Sequence, residues 1–107
     1  MAFKAAVVVM SPDGDPTQHR TSIKTSKMEL TTVVVPLWDF DRAAQVCREL
    51  VQKDGIQSII LCPGFTSAGV SMVADAVGQG VPINVARGDV PSVLATSGLL
   101  QQEGWFG

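Results

Sequence analysis

The chain has 107 residues, of which 46% are hydrophobic, and this suits one globular domain spanning residues 1–107. The net charge is −2 and the Lys and Arg residues form no cluster, which argues against nucleic acid and anionic membranes as partners. No apolar run approaches the ~20 residues of a membrane span. Cys47 and Cys62 fit neither a disulfide framework nor a zinc motif. We therefore expect a cytoplasmic protein with reduced thiols, no cofactor and no metal.

The first third of the chain predicts two strands joined by a short helix. Ala5–Met10 is a continuous apolar run, typical of a central parallel strand covered by helices on both faces. Asp15 and Pro16 predict the N-cap and first position of a short helix that carries His19. Leu30–Val35, rich in Val and Thr, predicts the second strand.

The clearest amphipathic helix begins after Asp39, a good N-cap, and ends at Gly55, a natural C-cap. Its apolar residues recur at helical spacing. They are Phe40, Ala43, Ala44, Cys47, Leu50 and Val51. This pattern predicts that Cys47 is a core residue.

The second half of the chain repeats the strand–helix alternation. Ser58–Cys62 predicts a third strand, and Thr66 or Ser67 caps the helix that follows the turn. Val81–Ala86 predicts a fourth strand. A last helix begins near residue 89, and Gly98 predicts a break in it.

Strands that alternate with helices indicate right-handed βαβ units. We predict an α/β fold: a small, four-stranded, mostly parallel sheet flanked by helices, built of flavodoxin-like or half-barrel-like βαβ units. The first connection is short, so an antiparallel first strand in an α+β sandwich is the structural alternative.

Several segments resemble a family of short bacterial proteins that is catalogued only as a domain of unknown function. The resemblance runs from Met1 to about Arg87, and Pro63 stands where the family pattern has glycine. It is carried by Lys4–Met10, Asp15-Pro16 with His19-Arg20, Glu29-Leu30-Thr31, Glu49-Leu50-Val51, and Leu61-Cys62-Pro63-Gly64-Phe65. It implies a one-domain chain and no particular activity. It also implies that His19, Arg20, Cys62, Gly64 and Arg87 form a group.

Ligands of open parallel sheets bind beyond the carboxyl ends of the strands. The predicted topology brings residues from four parts of the chain to this rim, most of them polar. They are Ser11, Asp13, Leu37, Trp38, Cys62, Gly64, Thr66, Arg87 and Asp89.

A small anionic ligand is the partner that this rim predicts. Gly64 lets the backbone approach a ligand just before a helix, where free N–H groups and the helix dipole favour an anion. Arg87 adds a bidentate donor for a carboxylate or phosphate. The turn lacks the P-loop and dinucleotide signatures, so ATP, GTP and NAD are disfavoured. The alternative is a plain tight turn beside a solvated arginine.

Two other functions remain open. Cys62 at a helix N-terminus predicts a nucleophile in a Cys-dependent enzyme acting on a small carboxylate or carbonyl substrate, with His19 shuttling protons. The competing interpretation makes Cys62 a small apolar strand residue and His19 a surface residue. Trp105 and Phe106 predict docking of the tail on the body or on a neighbouring subunit, and an unprotected sheet edge favours a homo-oligomeric, non-catalytic accessory subunit.

Overall fold

A computed structural model describes residues 1–106. Its strands are β1 (Phe3–Ser11), β2 (Arg20–Lys24), β3 (Met28–Pro36), β4 (Ser58–Leu61) and β5 (Ile83–Val85), and its helices are α1 (Phe40–Asp54), α2 (Ser67–Val77) and α3 (Ser92–Gln102). The sheet order is β2-β3-β1-β4-β5. β1 pairs in parallel with β3 and with β4, β4 pairs in parallel with β5, and β2 is antiparallel to β3.

The mixed α/β class and the mostly parallel sheet are confirmed, and β1 is the central strand as predicted. The prediction of four strands is wrong, because β2 occupies the segment assigned to a short helix. Asp15 does not cap a helix there; its carboxylate accepts hydrogen bonds from the N–H and hydroxyl of Thr17 and closes a tight turn. The chain then extends through Arg20 and forms a hairpin with β3.

Helices α1 and α2 pack against each other and against one face of the sheet. On that face the side chains are buried. They include Ala6, Val8, Met10, Val33, Val35, Ile59 and Leu61. Residues between them, such as Val7 and Val9, stay partly exposed. The flavodoxin-like arrangement with helices on both faces is therefore not confirmed.

We call the other side of the sheet the open face. Its residues are assigned from the strand pairing, because paired residues share a face and successive residues along a strand point to opposite faces. The open face comprises Phe3, Ala5, Val7, Val9, Ser11, Thr21, Ile23, Met28, Leu30, Thr32, Val34, Pro36, Ser58, Ile60 and Asn84.

The capping residues of α1 and α2 are those that the sequence predicts. The Asp39 carboxylate accepts from the N–H of Arg42 at 3.0 Å, and Gly55 ends α1 in the left-handed region at φ 69°. Thr66 caps α2 by accepting from the N–H of Gly69 at 3.1 Å. The predicted break at Gly98 is wrong, because α3 continues through it to Gln102.

Cys47 is a core residue, as the helical pattern predicted, and its side chain is fully buried. Burial raises the pKa of its thiol to about 12, because desolvation disfavours the thiolate. Within residues 1–106, no helix has both the length and the apolar character needed to cross a membrane.

Candidate functional site

A cleft of about 560 Å³ lies at the carboxyl end of the parallel strands, between this rim and α3. The parallel pairing puts the ends of β1, β3, β4 and β5 side by side, so residues far apart in sequence meet there. Its lining includes Met10, Trp38, Cys62, Gly64, Arg87, Leu100 and Phe106. The cleft is thus where the parallel topology predicted a ligand site.

Helix α3 forms one wall of the cleft and stands off from the rest of the chain. None of its residues is buried. Val93 and Leu100 nevertheless line the cleft, so apolar side chains of the helix face an open space. An apolar gap of this size between two walls is typical of small-molecule sites.

Trp38 forms a second wall, and its backbone is unusual. Its φ is +57°, in the left-handed region that residues other than glycine rarely adopt. The N–H of Trp38 donates to Sδ of Met10 at 3.4 Å, and the indole stacks on Phe106 with ring centroids 5.6 Å apart. Strain of this kind is commonly found at binding sites, where the surrounding structure holds it in place.

Two glycines allow close approach around the cleft. A Cβ at Gly88 would lie 2.8 Å from Val93 Cγ2 and 3.2 Å from Pro63 Cβ. A Cβ at Gly64 would lie 2.9 Å from Met10 Cε. Gly64 therefore makes room for a core methionine, in addition to lining the cleft.

Arg87 and Asp89 form an ion pair at the mouth of the cleft. Arg87 Nε donates to Asp89 Oδ1 at 2.7 Å, and the arginine side chain is 87% exposed. This hydrogen bond engages the Nε–H of the guanidinium and does not use the two terminal nitrogens. The pair gives this mostly apolar cleft a charged mouth.

The structure brings Cys62 to the cleft but leaves His19 elsewhere. Cys62 is partly buried, and its N–H donates to the carbonyl of Val8 at 3.0 Å. His19 is exposed and does not line the cleft; its Nδ1 accepts from the N–H of Asp15 at 2.9 Å. The fold therefore supplies no His19 partner for Cys62.

Ser11 and Thr66 are engaged locally and also lie outside the lining. The Ser11 hydroxyl donates to the Asp13 carboxylate at 2.6 Å, and this hydrogen bond lowers the pKa of Asp13. Thr66 serves as the α2 cap. Of the group implied by the family resemblance, Cys62, Gly64 and Arg87 share the cleft.

Arg20, the other member of that group besides His19, lines a second cleft of about 390 Å³ at the opposite end of the sheet. Its guanidinium pairs with Asp54 at 3.3 Å, and Lys4 pairs with Glu29 at 3.5 Å. The acidic side chains of this polar groove are thus already paired with cations of the chain.

Sequence reasoning missed α3 as a wall of the site. Val93 and Leu100 carried no local signal, since a weakly amphipathic helix does not reveal which side faces a cavity. The two terminal aromatics did carry a signal. Trp105 and Phe106 dock on the body of the chain, which was one of the two predicted outcomes.

Comparison with known proteins identifies a family but no characterised relative. The model of a family of unknown function, DUF6506, matches residues 3–99. The match continues past Arg87, where the resemblance identified in the sequence ends. No curated protein and no solved structure matches the chain.

Proposed function

We propose a ligand-binding function for this chain, which belongs to the family of unknown function DUF6506. The chain binds a small molecule with an apolar, flat body and one anionic group in the cleft between the sheet rim and α3. The observation that carries the proposal is the cleft itself, with aromatic and aliphatic walls and an arginine at its mouth.

The walls favour an apolar and flat body. Trp38 and Phe106, which stack on each other 5.6 Å apart, both contribute aromatic surface to the lining, and Leu100 adds an aliphatic surface. Aromatic side chains bury large areas and stack on planar ligands. A cleft of about 560 Å³ lies within the ~300–1,000 Å³ range of small-molecule pockets.

The mouth favours a carboxylate over a neutral group. The terminal N–H groups of Arg87 match the two oxygens of a carboxylate, while Asp89 fixes the other edge of the guanidinium. Asp89 also disfavours ligands with more negative charge, because its own carboxylate lies beside the arginine. Inorganic phosphate is therefore a poorer ligand than an aromatic monocarboxylate.

The test is calorimetric titration of the full chain with 2-naphthoate, its neutral analogue 2-naphthamide, acetate and inorganic phosphate. We expect 2-naphthoate to bind most tightly. Arg87→Gln should weaken the binding of 2-naphthoate about three- to tenfold, because exposed charge pairs contribute ~1 kcal/mol. It should leave the affinity for 2-naphthamide unchanged.

Arg48→Gln is the matched control, because it removes the same charge from an exposed position on α1. It should leave both ligands unaffected. If Arg87→Gln and Arg48→Gln lost the same affinity for 2-naphthoate, the carboxylate would not be recognised at the mouth of the cleft. Equal affinity of the wild type for all four compounds would lead to the same conclusion.

A non-catalytic accessory role is a second candidate, favoured by the Trp38–Phe106 stack. The stack places Phe106 against Trp38 at the rim, and both rings line the cleft. If that contact serves only to fix the tail, none of the four compounds should bind to the native chain. The same titration therefore distinguishes the two functions.

A further inference from the structure

We infer that the open face is the interface of a homodimer, in which a second copy of the chain packs sheet against sheet. The open face is the side of the sheet away from α1 and α2, and its composition is unusual for a surface that stays in water. Val7, Val9 and Ile60 lie at its centre and are partly exposed. Ile23 and Phe3, near its edge, are 64% and 47% exposed.

The charges of the sheet are segregated away from this face. The strands carry four charged side chains: Lys4, Arg20, Lys24 and Glu29. The strand pairing places all four on the helix side, where Lys4 and Lys24 pair with Glu29. A sheet with one solvated face normally alternates apolar and charged residues, with the charged residues outward. Here the pattern is reversed.

Such segregation suits a second copy of the same chain. In a two-fold dimer the open face of one copy packs against the same face of the other copy, so any charge near the symmetry axis would meet a like charge. A face made of apolar, Thr, Ser and Asn side chains has no such repulsion. Two sheets of this kind pack about 10 Å apart with interdigitated side chains.

The size of the whole sheet sets an upper limit on the area of such an interface. The strands are 9, 5, 9, 4 and 3 residues long. At ~3.3 Å per residue and ~4.8 Å between strands, the sheet projects an area of about 480 Å². Two copies would remove up to about 1,000 Å² from water, counted over the whole sheet with the corner that the chain itself covers, and this is the lower bound for a specific interface.

One corner of the face is already covered by the chain itself. The loop before β2 lies over the end of β3, where a Cβ at Gly14 would lie 3.0 Å from Val34 Cγ1. The remaining face, centred on β1 and its neighbours, is the part offered to the partner copy. It is separate from the cleft, so the inference does not depend on ligand binding.

Sedimentation velocity of the full chain, over a range of concentrations, tests the inference. We expect twice the mass of one chain, falling toward the monomer on dilution. Val7→Lys and Ile23→Lys should both give monomers, and Ile23 is exposed enough to be replaced without loss of the fold. Leu94→Lys, at a 66% exposed position on α3, is the control and should leave the dimer intact.

A measurement on the unmodified chain avoids any effect of substitution on folding. A soluble gadolinium chelate should broaden the methyl resonances of Val7, Val9 and Ile60 strongly in dilute samples and weakly in concentrated ones. A wild-type monomer at every concentration would overturn the inference. Equal broadening of these methyl resonances at all protein concentrations would also overturn it. So would a dimer that is lost with Leu94→Lys and kept with Ile23→Lys.

Discussion

The indole of Trp38 and the ring of Phe106 stack 5.6 Å apart and 8° from parallel, joining the end of β3 to the C-terminal tail. Trp38 holds a left-handed backbone in this arrangement, and its N–H is bonded to Met10. One contact therefore fixes a wall of the cleft, a strained residue and the segment that follows α3.

Removal of the stack should loosen the tail at a small loss of stability. Phe106 is 46% exposed, so Phe106→Ala should lower the free energy of unfolding by about 1 kcal/mol, mostly the aromatic pair itself. Leu99→Ala, at a 60% exposed position on α3, is the control and should cost less. Urea denaturation measures both. A larger loss for Leu99→Ala would mean that the stack does not hold the tail.

The two cysteines should differ sharply in reactivity. Cys47 is fully buried and its pKa is raised to about 12, so a thiol reagent at pH 8 should reach it only after unfolding. Cys62 is partly buried and lines the cleft, so it should react in the native chain.

Reaction with iodoacetamide followed by mass spectrometry checks this order. Saturating 2-naphthoate should slow the reaction of Cys62 by occupying the cleft. Reaction of both thiols at one rate, or protection of Cys47 alone by the ligand, would contradict the placement of the two residues.

Stability should fall at alkaline pH because of Cys47. In the unfolded chain its thiol ionises near pH 9, whereas the folded chain retains the proton until about pH 12. The contribution of the protonated thiol to the free energy of unfolding is thus complete below pH 9. It is lost as pH rises from 9 to 12, by up to about 1.4 kcal/mol per pH unit.

Urea denaturation at pH 8, 9.5 and 10.5 measures this loss. Cys47→Ala should be less stable at pH 8, because it leaves a cavity, yet decline less steeply above pH 9. Parallel declines for the variant and the wild type would assign the alkaline loss to other groups.

Two helical glycines should respond to the same substitution with opposite sign. A Cβ at Gly69 would lie 2.6 Å from Cδ1 of Phe40, where α2 meets α1. Gly69→Ala should therefore destabilise the chain by about 1–3 kcal/mol through overpacking. A Cβ at Gly98 meets nothing within 4 Å, so Gly98→Ala should stabilise α3 by about 0.5–1 kcal/mol. Thermal denaturation of both variants measures the signs, and a neutral Gly69→Ala would show that the helices are not closely packed there.

The central elements of the fold were predictable because their signals are local. Helix α1 starts after Asp39, whose side chain caps it with a hydrogen bond, and ends at Gly55 in a left-handed C-cap. Both signals depend on residue type alone. The parallel direction of the strands followed from the length of the crossovers. It also predicted that Cys62 and Arg87 would meet at one rim.

The errors have physical causes. The apolar run of β1 does not reveal whether both faces are covered by helices of the same chain or one is left open, because periodicity reports burial and not the covering partner. Asp15 followed by Pro16 suits a helix start and a tight turn alike, and the pairing of Arg20–Lys24 with β3 is a non-local interaction. The wall formed by Leu100 depends on where α3 docks, which no local pattern encodes.

The most direct test of the cleft as a ligand site is an ¹H–¹⁵N correlation titration of the full chain with 2-naphthoate. We expect shifts confined to the amides around the cleft, among them Trp38, Gly64, Gly88 and Leu100. The amides of His19 and of the open-face residue Thr32 should not move. Shifts centred on the loop before β2 or on the open face, or the absence of any shift at millimolar ligand, would contradict it.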